Sequence, residues 1–190
     1  MIQDLITKNR SYRRFDQSKK ISAQQITNWI ELARCSASAR NMQTLKYVVV
    51  TNPEVCKEIF PFLGWAGYLT DWKGPDEGER PVAYVAVLND KSLSDNYYCD
   101  DGIAMQSILL GATEDGYGGC MIGSVNKSKV SKILRLPEHL ELLWIIALGK
   151  PIEECVIENA KEGEIKYYRD QEQVHHVPKR PLDEIIFKVD

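Results

Sequence analysis

The stretch from Asp101 to Gly123, DGIAMQSILLGATEDGYGGCMIG, decides how the chain is read. Ile103, Ala104, Met105, Ile108, Leu109, Leu110 and Ala112 make its first half apolar on more than one face. A helix hydrophobic nearly all round is buried rather than laid on a surface. Helical character is expected to fade at Gly116, and Gly118-Gly119 then opens a short apolar strand from Cys120 to Ile122. A phosphate loop of the dinucleotide or P-loop type follows a strand and opens a helix. Here the glycines follow a helix and open a strand, so that reading fails on context. From these residues alone, a core helix ended by glycines is the plainer account.

Outward from that stretch the chain alternates helical and strand patterns. Upstream, residues 2 to 9 predict a short helix that runs into Arg10-Ser11-Tyr12-Arg13-Arg14-Phe15. Ser22 with Gln25 forms a capping box for a helix carrying Ile26, Trp29, Ile30 and Ala33. A small polar stretch, Ser36 to Gln43, precedes a buried strand at Tyr47 to Val50. Pro53 to Leu63 predicts a helix with proline in its first turn. Val82 to Leu88 reads as a strand. Downstream, Lys127 to Leu136 predicts a helix, and Leu142 to Leu148 a strand stopped by Gly149-Lys150-Pro151. Residues 152 to 180 are polar and lack a clear period, so they are expected either to be flexible or to wrap another surface. Pro181 to Phe187 predicts a short final element that docks.

The 190 residues suit one domain spanning 1–190 with a sizeable core. A hydrophobic fraction of 44% and a charged fraction of 27% are those of an ordinary globular protein. A net charge of -3 gives no global attraction to nucleic acid or to an anionic membrane. Arg10, Arg13 and Arg14, and again Lys179 and Arg180, concentrate positive charge locally, which points to a small anionic ligand instead of a polymer. Cys35, Cys56, Cys99, Cys120 and Cys155 are scattered and odd in number, the usage of reduced thiols. The N-terminus lacks a signal-peptide core and no apolar run reaches transmembrane length, so a cytoplasmic protein is expected.

Several residues carry possible chemistry. Ser11 between arginines offers a hydroxyl and forked cations for a phosphate, or forms a solvated basic turn. Asn41 and Gln43 carry donors and acceptors that could read a flat heterocycle or tie down their own loop. The segment from Gly64 to Arg80 holds Trp65, Tyr68 and Trp72, aromatics that fit a lid or a substrate-pocket wall as well as a surface insertion. His175 and His176 are adjacent and point to opposite faces of a strand, His139 stands alone, and no metal site is expected. No nucleophile elbow or triad is present, so a cofactor is expected to carry any hard chemistry.

Four segments together resemble the FMN-dependent nitroreductase family: Arg10 to Arg13, the S-x-x-N-x-Q run Ser38 to Gln43, Asp101 to Gly123 with its GGCMIG end, and Val177 to Arg180. The resemblance implies an α+β fold with a central antiparallel sheet flanked by helices. It also implies a homodimer with an extended C-terminal tail wrapping the partner subunit, and FMN at the interface. It further implies that Arg10, Ser11, Lys179 and Arg180 hold the ribityl phosphate, with Ser38, Asn41 and Gln43 lining the flavin. Cys120, Met121, Ile122 and Gly123 would present backbone to its N5 and O4 edge, and Arg13 would reach its N1–O2 edge or the phosphate. Thr44-Leu45 stands where many members carry Pro-Trp. The implied activity is hydride uptake from NADH or NADPH, then ping-pong reduction of a nitroaromatic or quinone-like acceptor, with no catalytic side chain. Reductive dehalogenation or flavin destruction on the same fold remain alternatives, as does a non-enzymatic flavin-binding protein.

Overall fold

The computed structural model describes residues 1–189 and divides into two compact units. The first comprises Met1–Trp65 and Gly74–Ile152; the second comprises Ala66–Lys73 and the chain from Glu153 onward.

The first unit is built on an antiparallel sheet. Its central strands are β3 (Ala83–Asp90) and β5 (Leu140–Pro151), with β2 (Leu45–Val50) on the far side of β3. β5 is long enough to serve three partners. It pairs β3 from Leu140 to Leu148, β4 (Gly118–Ile122) from Ile145 to Gly149, and β1 (Phe15–Asp16) at Lys150 and Pro151. The expected stop at Gly149 is therefore too early. Gly149 stays in the ladder, where an added Cβ would lie 2.6 Å from the Phe15 ring.

β3 is buried from end to end because helices cover both faces of the sheet. Val85 and Val87 pack with α2 (Ala23–Cys35) and α4 (Asp100–Glu114) through Ile26, Trp29, Met105 and Ile108. Tyr84, Ala86 and Leu88 face the other core, with Ile59 of α3 (Pro53–Ile59) and Val130 of α5 (Lys127–Ile133). Alternate residues of one strand thus feed two apolar cores. The expected capping box starts α2: Gln25 N donates to Ser22 Oγ at 3.2 Å, and Ser22 N to Gln25 Oε1 at 3.0 Å. Trp29 Nε1 donates to Asp115 Oδ2 at 2.7 Å and fixes α2 against the end of α4. Gly116 then takes φ +76, a left-handed turn that favours glycine and that redirects the chain into β4.

α4 is not covered all round within one chain. Ala104, Met105, Ile108, Leu109 and Ala112 are buried, whereas Gly102, Ile103 and Gln106 are exposed. The short α1 (Ile2–Lys8) packs on α4 and contributes no buried residue of its own.

The second unit corrects the reading of residues 152 to 180 as lacking strand structure. β6 (Cys155–Asn159) pairs in parallel with β8 (His175–Lys179), and β7 (Tyr168–Arg169) pairs antiparallel to β8. Arg169 joins Glu153 in an ion pair at 3.0 Å, almost wholly out of solvent, and its guanidinium lies 4.2 Å over the Trp72 ring. Tyr68 packs on Tyr167 at 4.8 Å. These contacts join loop residues 66–73 to the tail. The final helix α6 (Leu182–Ile185) is exposed throughout.

Candidate functional site

The basic motif and the glycine-rich strand meet. Ser11 forms a parallel bridge with Gly119, and Tyr12 N donates to Gly119 O at 3.0 Å. β4 thus has β5 along one side and the Ser11–Tyr12 segment at Gly119 on the other. Glycine is needed here for close packing. A Cβ at Gly119 would fall 2.1 Å from Ala147 O, and one at Gly123 2.4 Å from the Trp144 ring. Cys120 and Ile122 bury their side chains in the core, while Met121 points the other way and is half-buried. Only main chain from Cys120 and Ile122 can meet a ligand.

Arg10 closes α1: its Nη2 donates to Ile6 O at 2.8 Å. Its Nε is buried and has no hydrogen-bond partner, and the Ser11 side chain is exposed. Arg13 turns back on its own segment, its Nη1 donating to Ser11 O at 3.1 Å.

The S-x-x-N-x-Q run is strained in a specific way. Arg40, Asn41 and Gln43 have φ of 54, 56 and 51, left-handed values uncommon for residues with a side chain. Ser38 Oγ accepts from Gln43 N at 3.0 Å, Gln43 Nε2 donates to Asn41 O at 3.2 Å, and the buried Asp100 accepts from Ala39 N at 2.9 Å. These bonds hold the turn and leave Asn41 and Gln43 exposed. Ser38 and Gln43 open onto a cavity of about 240 Å³, also lined by Tyr47, Asp100 and Ile103. Burial first, and the Asp100 carboxylate second, push the Tyr47 hydroxyl up to about 12, so it remains a donor.

The start of α4 ties these parts together. Asp100 holds Ala39, while the next residue, Asp101, accepts from Trp144 Nε1 at 2.8 Å. Trp144 lies against Gly123 at the end of β4. Asp100, Asp101 and Trp144 were not among the expected site residues. Two adjacent carboxylates opening an apolar helix were the available signal.

Other expected residues are divided between the two units. Trp65 belongs to the first unit and packs on Phe60 at 5.7 Å, whereas Tyr68 and Trp72 belong to the second. Lys179 ends β8, and Arg180 Nη1 pairs with Glu184 Oε2 at 2.9 Å, both within the second unit. Among the described residues, no cluster of three His, Cys, Asp or Glu side chains is placed to hold a metal ion. No helix among them is long and apolar enough to cross a membrane.

Known proteins resemble this chain in sequence and in fold. YodC of Bacillus subtilis (strain 168), provisionally named an NAD(P)H nitroreductase, is 21% identical over 179 residues, covering 78% of this chain and 89% of that protein. The nitroreductase family protein of Streptococcus pneumoniae TIGR4 superimposes with a TM-score of 0.69 over 100% of both chains at 19% identity. A protein of Exiguobacterium sibiricum 255-15, crystallised in complex with FMN, gives a TM-score of 0.66 over 80% of this chain and 89% of its own, at 18% identity. The Nitroreductase family model matches residues 6–67 and 78–150, which is nearly all of the first unit. The chain belongs to the nitroreductase family.

Proposed function

We propose that the protein is an NAD(P)H-dependent FMN oxidoreductase that works as a homodimer. Its reducible acceptors are nitroaromatic or quinone-like compounds, reduced by a ping-pong mechanism. The observation that carries this reading is the junction of Ser11 with Gly119, which sets a basic motif against the side of β4 away from β5. The buried Arg10 Nε without a partner is a donor that a phosphate oxygen would satisfy, and the exposed Ser11 hydroxyl stands next to it in sequence. These residues fit FMN.

In this reading Arg10 and Ser11, with Lys179 and Arg180, bind the phosphate. Ser38, Asn41 and Gln43 position the ring, and the backbone of Cys120 to Gly123 presents hydrogen-bonding groups to its reactive edge. FMN when bound supplies hydride chemistry at N5. The chain's own residues orient the cofactor and the nicotinamide, and none is assigned as an acid or base. The whole chain acts as one functional domain, its tail wrapping the partner subunit. The exposed residues Gly102, Ile103 and Gln106 on α4, together with Leu182, Ile185 and Phe187 near the C-terminus, support that arrangement. The names of relatives in Bacillus subtilis, FMN reductase (NADPH), and Vibrio harveyi, NADPH-flavin oxidoreductase, agree with it.

The test is steady-state kinetics with NADPH or NADH and a quinone, both concentrations varied. Ping-pong reduction predicts parallel double-reciprocal lines. Intersecting lines, or no acceptor-dependent NAD(P)H oxidation, would contradict the proposal.

A further inference from the structure

A second cavity, of about 210 Å³, lies on the α3 side of the sheet, apart from every residue assigned above. Its interior is formed by Phe60, Val82 and Tyr84, with Arg80 across the mouth. Lys20, Lys57, Glu54 and Glu77 stand exposed at its rim, two cations against two anions. Arg80 adds one further cation to that balance.

One donor in this cavity, Arg80 Nε, is buried without a hydrogen-bond partner, and a tyrosine hydroxyl with no side-chain bond lines the same cavity. The Arg80 side chain forms no ion pair and no hydrogen bond among the described residues, and its Nε is buried. Its neighbour Glu79 is engaged by Arg14, through bonds of 2.6 and 2.7 Å. Arg80 is nonetheless held in place. Its guanidinium carbon lies 4.3 Å over the Phe60 ring, and its backbone N, like that of Gly78, donates to Gln17 Oε1, at 3.3 and 2.7 Å respectively. The second donor is the hydroxyl of Tyr84, a residue 1% exposed that makes no side-chain hydrogen bond among the described residues. Burial raises its pKa above the usual tyrosine value, so it stays protonated and can only gain by donating. Buried polar groups are normally satisfied, so the buried Arg80 Nε, with the Tyr84 hydroxyl lining the same cavity, favours an acceptor there.

We infer that this cavity is a binding site for a small organic monocarboxylate, with the carboxylate on Arg80 and Tyr84 and the apolar body against Phe60 and Val82. The planar fork of an arginine matches a carboxylate. One guanidinium above a balanced rim matches one negative charge, and the apolar surfaces of Phe60 and Val82 favour an organic anion over inorganic phosphate. Sites for drug-sized ligands hold roughly 300–1,000 Å³, so a cavity this small admits one ring or a short chain and excludes a nucleotide. The site is independent of the flavin reading.

The purified protein, labelled with ¹⁵N, is titrated with benzoate and separately with inorganic phosphate while amide resonances are followed. Benzoate is expected to shift the amides of Gly78, Arg80 and Tyr84 most, and phosphate to shift them little. Arg80→Met should weaken benzoate binding by roughly tenfold or more, and Tyr84→Phe by a smaller factor. Should Arg80→Met fail to fold, Tyr84→Phe, which removes one oxygen, decides the matter by the same shift. Benzoate shifts centred elsewhere, binding unchanged in the folded variants, phosphate binding as tightly as benzoate, or no binding in the millimolar range would each overturn the inference.

Discussion

Arg13 is the residue whose role is most open to measurement. It follows Ser11 by two positions in a segment docked on Gly119, and its Nη1 bonds the Ser11 carbonyl. In the proposed flavin site a cation at Arg13 would favour reduced flavin, which gains negative charge at its N1–O2 edge. At ~4 Å and an effective dielectric of ~20 the attraction is about 4 kcal/mol. Since roughly 1.4 kcal/mol corresponds to ~30 mV for two electrons, the ceiling is on the order of 90 mV, and solvation reduces it to a few tens of millivolts. We predict that Arg13→Met binds FMN nearly as well as wild type but has a lower midpoint potential, as read by spectroelectrochemistry. A collapse in FMN affinity with an unchanged potential would assign Arg13 to the phosphate instead. The left-handed φ of Arg40 and Gln43 is held within the Ser38 and Asp100 bonds and is not signalled by those residue types, whereas Asn41 is of a type that tolerates it.

Among the elements, the three-stranded sheet of the second unit hangs on His176. Its Nδ1 lies 3.2 Å from Glu158 Oε2 on β6 and its Nε2 lies 3.1 Å from Asp170 Oδ2 beyond β7, while its ring stacks on Tyr168 at 4.7 Å. The bond to Asp170, and then that to Glu158, raise the His176 pKa above the ordinary histidine value; burial works against them. The same His176 bond, with backbone donors, lowers the pKa of Asp170. The stabilisation from His176 is therefore full below its unfolded pKa and is lost as pH rises through the raised folded value. That from Asp170 is present above its unfolded pKa and is lost as pH falls through the lowered folded value. We predict that amide protection in β7 and β8 is greatest between these limits, and that His176→Gln abolishes the loss at higher pH. Protection that is flat across neutral pH in the wild type, in hydrogen exchange corrected for intrinsic rates, would refute this. This sheet was illegible in the sequence because its strands are short, polar and half-exposed. They are held by side-chain pairs, not by an apolar period. The helices and the strands of the main sheet were legible, since β3, β5 and α4 bury nearly continuous apolar runs.

Over the whole molecule, the sequence order of four motifs was enough to reach the family, although YodC is only 21% identical over 179 residues. What sequence could not provide was the linkage among the motifs. The N-terminal turn of α4 carries it, from Ala39 through Asp100 and Asp101 to Trp144 and Gly123. Neither could it foresee that Lys179 and Arg180 would fall in a unit outside the segments matched by the family model. The apolar residues Leu182, Ile185 and Phe187 are exposed in the single chain. Flavin reduction by a nicotinamide is the claim on which the rest of the functional account depends. Anaerobic stopped-flow mixing of the FMN-loaded protein with NADH or NADPH tests it most directly. The account predicts that the flavin's visible absorption bleaches in a single turnover and returns when a quinone is added. A flavin that stays oxidised with both nucleotides would contradict the account and leave a flavin-binding protein without reductase activity.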